Sequence, residues 1–491
     1  MSQSGLSQKQ IDQFEESFSK NDKYQLAQNV CNGHPLAEML ASRPLQQSVQ
    51  HCFNNTIEKE GQPITDQQRS GRCWIFACLN IMRVPFMKKY KLEKFEFSQN
   101  YLFFWDKVER ANYLLHAFVE CARKGETYNG RLISHMLRNP SEDGGQWDML
   151  VNLVEKYGVV PKECFPNTWS ADNSHRLGQI MNNRLREGCS VLHGMVAAGK
   201  TEAEIETAIN GMNEEIYRIM CIVLGKPPRT VMFQYMNAAD KGKEGETTGA
   251  KKTHSIGPIS PRDFYHQLVK PDCMDMEDLV CIVNDPRPNN PYNKLYTVEY
   301  LGNMTGGKPT LYINQPIEVL KQLTIKSIKE AQTPVWFGCD VGKHYNHKLG
   351  FLDLKALDFQ LMFDVDTLKL GKAERLMYGE SLMTHAMVFT AVNTSDSGAA
   401  DKWRVENSWG DKDGDKGYLV MSAVVGYIVK SAVVGYIVMS AVSGYIVMSA
   451  VLGNIVMSDI AGYILMSAVV GYIEMSAVSG YIVMSAISGN M

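Results

Sequence analysis

Apolar and polar positions along the 491-residue chain change rhythm twice. In the first half, apolar residues return at helical spacing. Residues 8–18 and 35–43 read as helical stretches within a polar N-terminal region, 1–65. An apolar run opens at Cys73 and continues through Trp74, Ile75, Phe76, Ala77, Leu79, Ile81 and Met82. The turn signal Ser70-Gly71 before it places Cys73 in the first turn of a helix. Ser98-Gln99-Asn100 offers a cap for a helix predicted to begin near Tyr101, with Tyr101, Phe104, Trp105 and Val108 on one face. Residues 139–146 are a loop by composition, 147–156 a further helical pattern closed by Gly158-Val159-Val160-Pro161, and 167–224 polar and helix-forming. The charged, Gly- and Thr-rich run 238–256 reads as solvated surface. Beyond it the apolar runs become short: 279–283, 295–301 and 333–339 are strand-like, and Pro316 opens a helix to Lys329. Residues 386–392 and 402–405 read as neighbouring strands joined by a Ser/Asp/Gly turn.

The second change falls at Gly417. Glycines recur at 417, 426, 435, 444, 453, 462, 471, 480 and 489, so a nine-residue unit repeats eight times with a stub. After Gly417 the only charged residues are Lys430, Asp459 and Glu474. On a helix, nine residues turn through about 900°, which puts successive units on opposite faces. On a strand an odd period also flips successive units between faces. Neither conformation keeps a polar face. Residues 431–458 form 28 uncharged positions, long enough to cross a bilayer. Three readings stand: a membrane anchor, a β-rich or poorly ordered appendage, and a repeat expansion of the coding sequence.

Composition narrows the rest. A formal charge of -3 and a pI near 6.4 give no electrostatic argument for nucleic acid or an anionic membrane. The eleven cysteines are odd in number and contain no CxxC pair, which points to free thiols in a reducing cytosol. No apolar segment follows the N-terminus, so no secretory leader is expected.

Cys73 at a helix start is a candidate nucleophile, because the unpaired N–H groups and dipole there favour a thiolate. His385, in Met383-Thr384-His385-Ala386 just before an apolar strand, is the candidate base; His344 and His347 are the rival pair. Their HxxH spacing alone is a weak metal signal. Asn407, in Glu406-Asn407-Ser408-Trp409-Gly410, is the candidate for orienting the imidazole, with Trp409 shielding that hydrogen bond from water. Gln67, six residues before Cys73, can donate its side-chain amide to an oxyanion together with the Cys73 N–H; Gln68 is the adjacent alternative.

Gln-x5-Cys-Trp, a later His before a strand and Asn-Ser-Trp-Gly resemble the papain-type cysteine peptidases. Ser70-Gly71-Arg72-Cys73-Trp74-Ile75-Phe76, Phe97-Ser98-Gln99, Asp143 to Asp148, Trp336 to Lys343, Glu380 to Ala386 and Trp403 to Gly410 resemble, more narrowly, the bleomycin hydrolase family. The likeness runs from near residue 1 to Leu419. It implies an α+β papain-like fold: a helical segment over 1–65, a helical half carrying the nucleophile over 66–166, a helical, hook-like insertion for oligomerisation over 167–310, a β-rich half carrying His385 and Asn407 over 311–416, and the repeat tail over 417–491. It implies a cytoplasmic thiol aminopeptidase acting on peptides and on the bleomycin amide, assembled as a homohexamer, needing no cofactor or metal, with nucleic-acid binding in some members. It also places Gly144 and Gly145 along the cleft, where they would bind substrate backbone. The chain departs from secreted papains in lacking the cysteine three residues before the nucleophile, where Ser70 stands. It departs from the pattern of the bleomycin hydrolase family after Leu419, where the repeat stands in place of the further core structure and the cleft-entering terminal residues that the resemblance implies. An inactive or aggregating product and a membrane-tethered form are the alternatives that this departure raises.

Overall fold

The computed structural model describes residues 5–237 and 253–423, and beyond them the backbone of the strands at 429–435, 446–450, 455–461, 464–468, 473–479 and 482–484. Most of the expected charged run 238–256 lies outside the described residues.

Two N-terminal helices, α1 (Gln8–Ser19) and α2 (Asp22–Gly33), bury no residue. Helix α3 (Cys73–Lys89) is the opposite case. It is apolar on every side and fourteen of its residues are buried, as a helix at the centre of a core must be. Each large side chain fully buried there, Phe76 and Phe86 among them, contributes about 1.5–3 kcal/mol. Helix α4 (Gln99–Arg123) begins two residues earlier than its apolar pattern suggested, because Ser98 is the cap: its hydroxyl accepts from the Tyr101 N–H at 3.1 Å. Helix α5 (Trp147–Tyr157) stops at Gly158, whose φ is +74° and where a Cβ would sit 2.0 Å from the Pro261 carbonyl oxygen. Two 23-residue helices, α6 (His175–Ala197) and α7 (Glu202–Leu224), pack on α4. A capping box between Thr201 and Glu204 starts α7.

An antiparallel pair, β1 (Val231–Met236) with β2 (Thr253–Ile259), follows; its strands were not expected, and β2 takes residues 253–256 from the run read as solvated surface. The remaining strands form one large sheet in the spatial order β4-β5-β3-β12-β6-β9-β10-β11-β8-β7, with Asn55–Thr56 pairing β9 off that path. They are β3 (Leu279–Val283), β4 (Lys294–Tyr296), β5 (Tyr312–Asn314), β6 (Val335–Cys339), β7 (Tyr345–Asn346), β8 (Phe351–Leu352), β9 (His385–Thr394), β10 (Ala400–Glu406), β11 (Tyr418–Ser422) and β12 (Val429–Gly435). The expected strand over 295–301 shrinks to β4, which ends at Tyr296; the chain then turns at Glu299-Tyr300, where Tyr300 has φ +57°. Alternation along β6 and β9 serves two cores. Trp336, Ala386 and Val388 join the helical core around α3, while Phe337, Met387 and Phe389 join a second core under the helix α8 (Ile317–Lys329). The chain is therefore an α+β fold whose helical half and sheet meet along α3 and β9.

The repeat enters this sheet twice. Its first unit supplies β11, antiparallel to β10 and parallel to β8. Its second supplies β12, antiparallel to both β6 and β3, in the middle of the sheet. The strands after it pair parallel with an 18-residue offset, Ile446 beside Ile464 beside Ile482 and Ile455 beside Ile473. Two nine-residue units make one even period, which removes the face-flipping that an odd period imposes on a strand. No helix among the described residues is long and apolar enough to cross a membrane; 446–450, within the 28 uncharged positions, is a strand, and so is 455–461, which runs past them through Asp459.

Candidate active site

The seam between α3 and β9 brings the predicted groups together. Cys73 is the first residue of α3, with 9% of its surface exposed. Its thiol is reached by the backbone N–H groups of Ala386, Trp74 and Cys73 itself. Ala386 follows His385 at the start of β9, so helix start and strand start face each other. His385 is buried, and its Nε2 lies 2.7 Å from Asn407 Oδ1. That oxygen also accepts from the Ser408 N–H at 2.9 Å. An atom already accepting a backbone N–H is an acceptor for the ring too, so Nε2 carries the proton and Nδ1 is left as the basic nitrogen. Trp409 stacks on the imidazole, ring centroids 4.6 Å apart, and covers the pair from solvent.

Charges in this pocket are opposed by burial. Desolvation pushes the Cys73 thiol up to about 11, against the pull of the three N–H groups, and Asp143 adds to the rise. The helix start was expected to favour a thiolate; its donors are present, but removal from water outweighs them for the thiol taken alone. Burial lowers His385 to about 4, with the Asn407 hydrogen bond pulling the other way. Desolvation works against each charge singly. Proton transfer from Sγ to Nδ1 creates both at once, and their attraction offsets part of that cost.

Gln67 is buried and fixed from both sides. Its backbone N–H donates to the Ser408 carbonyl at 2.9 Å, and its Oε1 accepts from Ser408 Oγ at 2.7 Å. One Nε2 hydrogen goes to the Ser70 carbonyl at 2.6 Å, which leaves the second N–H of the amide for a ligand. Gln68 is exposed, at φ +52°, with its amide on Asp66 at 2.7 Å. It points away from this arrangement.

Gly145, with Gly144 before it, makes a wall beside Trp74, the residue after Cys73. A Cβ on Gly145 would lie 2.6 Å from the Trp74 ring, so the loop can lie flat on that indole only with glycine there. A Cβ on Gly144 would meet nothing within 4 Å; its carbonyl accepts from Arg110 at 2.9 Å. Next to this wall lies a cavity of about 450 Å³ lined in part by Gln146, Asn284, Asp285, Tyr312, Leu376 and Met383. Gln146 adjoins Gly145 and Met383 lies two residues before His385, so the cavity borders the segments that carry the candidate site.

His347 is exposed, stacked on the outer side of Trp409 with its Nδ1 3.6 Å from Asp413, and His344 is held low in pKa by burial and by Arg375. Neither hydrogen-bonds to Asn407. Among the described residues, Glu155, Asp275 and Glu277 come close enough together to hold a metal ion, but the Lys270 ammonium already contacts all three at 3.1, 3.3 and 2.7 Å.

Asp143 entered the sequence argument only as part of a resembling string, with no role of its own, although it organises the loop. Its carboxylate takes the Gly71 N–H at 3.1 Å and the Lys107 ammonium at 2.8 Å, and its carbonyl takes Trp74 Nε1 at 2.6 Å. Burial would raise its pKa; Lys107, Ser174 and Gly71 hold it down to about 2. Its place in a turn-like Glu-Asp-Gly-Gly string hid it.

An α+β fold whose two halves present a helix-start thiol and a buried His–Asn pair to one cleft has the architecture of a papain-like cysteine peptidase. The chain belongs to the Peptidase C1-like family, whose model matches residues 5–430. It is similar to the bleomycin hydrolase of Mus musculus, 51% identical over 424 residues that cover 86% of this chain and 90% of that protein. It is also similar to aminopeptidase C of Lactobacillus delbrueckii subsp. lactis, 38% identical over 84% of this chain and 87% of that one. Among solved structures, PepW from Lactobacillus rhamnosis superposes with a TM-score of 0.82 at 36% identity, covering 89% of this chain and 94% of its own. The chain is a cysteine peptidase, and its likeness to bleomycin hydrolases is shown over most of its length.

Proposed function

We propose that the chain is an aminopeptidase of bleomycin hydrolase type in which Cys73 is the nucleophile, His385 the general base and then acid, and Asn407 the group that orients the imidazole. Sγ attacks the carbonyl carbon of the scissile amide while Nδ1 takes its proton. The tetrahedral oxyanion accepts from the free Gln67 Nε2–H and the Cys73 N–H. His385 returns the proton to the leaving amine, and water then hydrolyses the thioester by the same route in reverse. Gly144 and Gly145 receive the substrate backbone, and the adjoining cavity gives room to side chains. Peptides and the bleomycin amide are the substrates, the cytoplasm the compartment, and a homohexamer the assembly. The names of the similar proteins support this reading, and the 2.7 Å His385–Asn407 hydrogen bond beside the Cys73 thiol carries it.

Titration with an irreversible thiol probe, followed by assay on an aminoacyl fluorogenic substrate, tests it. Labelling is expected at Cys73 before any of the other ten cysteines, with turnover lost in proportion. Cys73→Ala is expected to lower kcat by about 10³-fold or more. Turnover surviving that substitution removes the proposal; a folded wild-type chain with no labelling and no turnover favours an inactive product instead.

A further inference from the structure

Arg83 and Glu406 form an ion pair with no exposure to solvent worth the name: Arg83 is 0% and Glu406 1% exposed, with Nη2 and Oε1 2.5 Å apart. A pair this deep is weak evidence for stability, since its attraction must first repay the desolvation of both charges. Its placement is more informative. Arg83 lies on α3, ten residues along the helix that begins at Cys73. Glu406 is the last residue of β10 and directly precedes Asn407. The bridge spans 323 positions of sequence and ties the nucleophile's helix to the strand end that carries the orienting amide.

Both ends are fixed. Arg83 Nη1 donates to the Pro63 carbonyl at 2.7 Å and to the Phe95 carbonyl at 3.3 Å, so the guanidinium cannot follow the carboxylate if the halves shift. Gly61 makes the room: a Cβ there would lie 2.5 Å from Arg83 Nε. Glu406 is held in register between Val388 of β9 and Tyr418 of β11. Other ties across this seam include neutral hydrogen bonds, such as Trp336 Nε1 to the Trp74 carbonyl at 3.3 Å. A charged, three-point clamp one residue from Asn407 constrains the imidazole's orientation more tightly than those do.

We propose that Arg83 and Glu406 are a positioning pair, setting Asn407, and through it His385, against Cys73. The proposal rests on the catalytic reading above. Ionisation of Glu406 then enters the rate. Burial raises its pKa to about 7 against the pull of Arg83; Glu60, from the segment before α3, adds to the rise, and Arg404 on its own strand opposes it. From β11, Tyr418 is the register partner of Glu406, and burial, with the carboxylate adding to it, pushes the Tyr418 phenol up. The carboxylate form, dominant above about 7, is the one that clamps.

The test compares Glu406→Gln, Glu406→Asp and Arg83→Lys with the parent in the full chain, using an aminoacyl fluorogenic substrate and iodoacetamide. Glu406→Gln is expected to melt as a folded protein, keep KM within about twofold, and lose about 10²-fold in kcat, the order expected for a misplaced catalytic geometry. Its Cys73 alkylation rate should fall in parallel, and a rise in kcat near pH 7 present in the parent should vanish. Glu406→Asp, which restores the charge, should recover much of kcat. If Glu406→Gln does not fold, Arg83→Lys decides: it keeps the charge but loses the carbonyl contacts, and kcat should drop about 10-fold at constant KM. A folded Glu406→Gln with kcat within about threefold of the parent overturns the proposal. So does a kcat loss that Glu406→Asp leaves uncorrected, or an unchanged kcat in Arg83→Lys. Failure of the catalytic reading looks different, because then Cys73→Ala keeps its turnover.

Discussion

Strands β11 and β12 are nearly the same peptide in two settings. Residues 420–426 read Val-Met-Ser-Ala-Val-Val-Gly and residues 429–435 read Val-Lys-Ser-Ala-Val-Val-Gly. The first begins inside β11, between an antiparallel and a parallel neighbour; the second is β12, antiparallel on both sides. Around α3 no such exchange is conceivable. Gly145 is required by the Trp74 ring, Ser408 by Gln67, and Gly61 by Arg83, each by a contact that a single added or lost atom would break. The peptidase core is specified by side-chain contacts unique to each position. The repeat supplies generic β-forming backbone, and the vacancies of the core decide where it goes.

Removing the tail in two steps tests that division most severely. A chain ending after Ala423 loses β12, leaving β6 and β3 with a missing neighbour in the middle of the sheet. It is expected to lose cooperative unfolding and at least about 10²-fold in kcat/KM, since a 1 Å displacement at His385 can cost that much. A chain ending after Gly435 keeps every strand of the large sheet and should retain parental kcat/KM within about twofold. Equal activity in both truncations would show that β12 is not part of the working sheet, and the comparison would collapse.

Within the core, Asn407→Ala separates orientation from assembly. Loss of the hydrogen bond to Nε2 should lower kcat by about 10²-fold with the fold intact, the scale on which a partner of a reactive histidine acts. The pH profile sharpens this. His385 is neutral, and so competent as a base, above its lowered pKa of about 4; activity should fall as pH drops through that value. Asn407 pulls this pKa upward, so its removal should move the acid limb to lower pH. An acid limb that stays put or moves upward would mean that Asn407 does not bear on the imidazole.

How much of this could be read from the chain follows the same division. Cys73, His385, Asn407 and Gln67 were legible because each sits in a short string whose composition states its own local structure, and the structure gathers them at one seam. Gln67 was preferred over Gln68 in the sequence, and the structure supplies the physical reason: the turn at φ +52° sends the Gln68 side chain outward to Asp66. Asp143, Arg83 and Glu406 were illegible for a common reason. Asp143 pairs with Lys107 from α4, Arg83 and Glu406 are 323 residues apart, and a buried charge looks like a surface charge until its partner is found. The helices expected over 147–156 and 316–329 were close to their observed lengths, whereas 35–43 is not one helix: Leu36–Met39 is a single short turn and a second helix opens only at Arg43. The misplaced start of α4 came from a cap outvoting an apolar pattern. In the tail, the nine-residue period was plain and its meaning was not, because the even period is two units long.

Gly145→Ala tests the core's intolerance at the scale of one methyl. The Cβ would enter the Trp74 ring, and the flanking loop is pinned through Asp143 to Trp74 Nε1, Gly71 and Lys107, so the strain cannot dissipate locally. Overpacking of this kind costs about 1–3 kcal/mol, to be read from the midpoint of a denaturant titration at constant slope. A variant as stable as the parent would mean that the loop moves freely over the indole.

The smallest effect on catalysis is expected where the difference between the regions is a single residue. Lys430 is the one charge between Gly417 and Asp459, and it is the residue skipped in the pairing of β12 with β6, where the register passes from Val429 directly to Ser431. Lys430→Met makes residues 429–435 identical to 420–426. Because a bulged residue takes no place in the ladder, kcat/KM should stay within about twofold of the parent and the unfolding midpoint should shift by less than about 0.5 kcal/mol. The change should instead appear in solution behaviour. A charge set in a long uncharged β-forming run discourages pairing between chains, so its loss should raise light scattering on incubation in proportion to protein concentration. Lower turnover without added scattering would mean that Lys430 serves the core, and that the second repeat unit is as individually specified as α3.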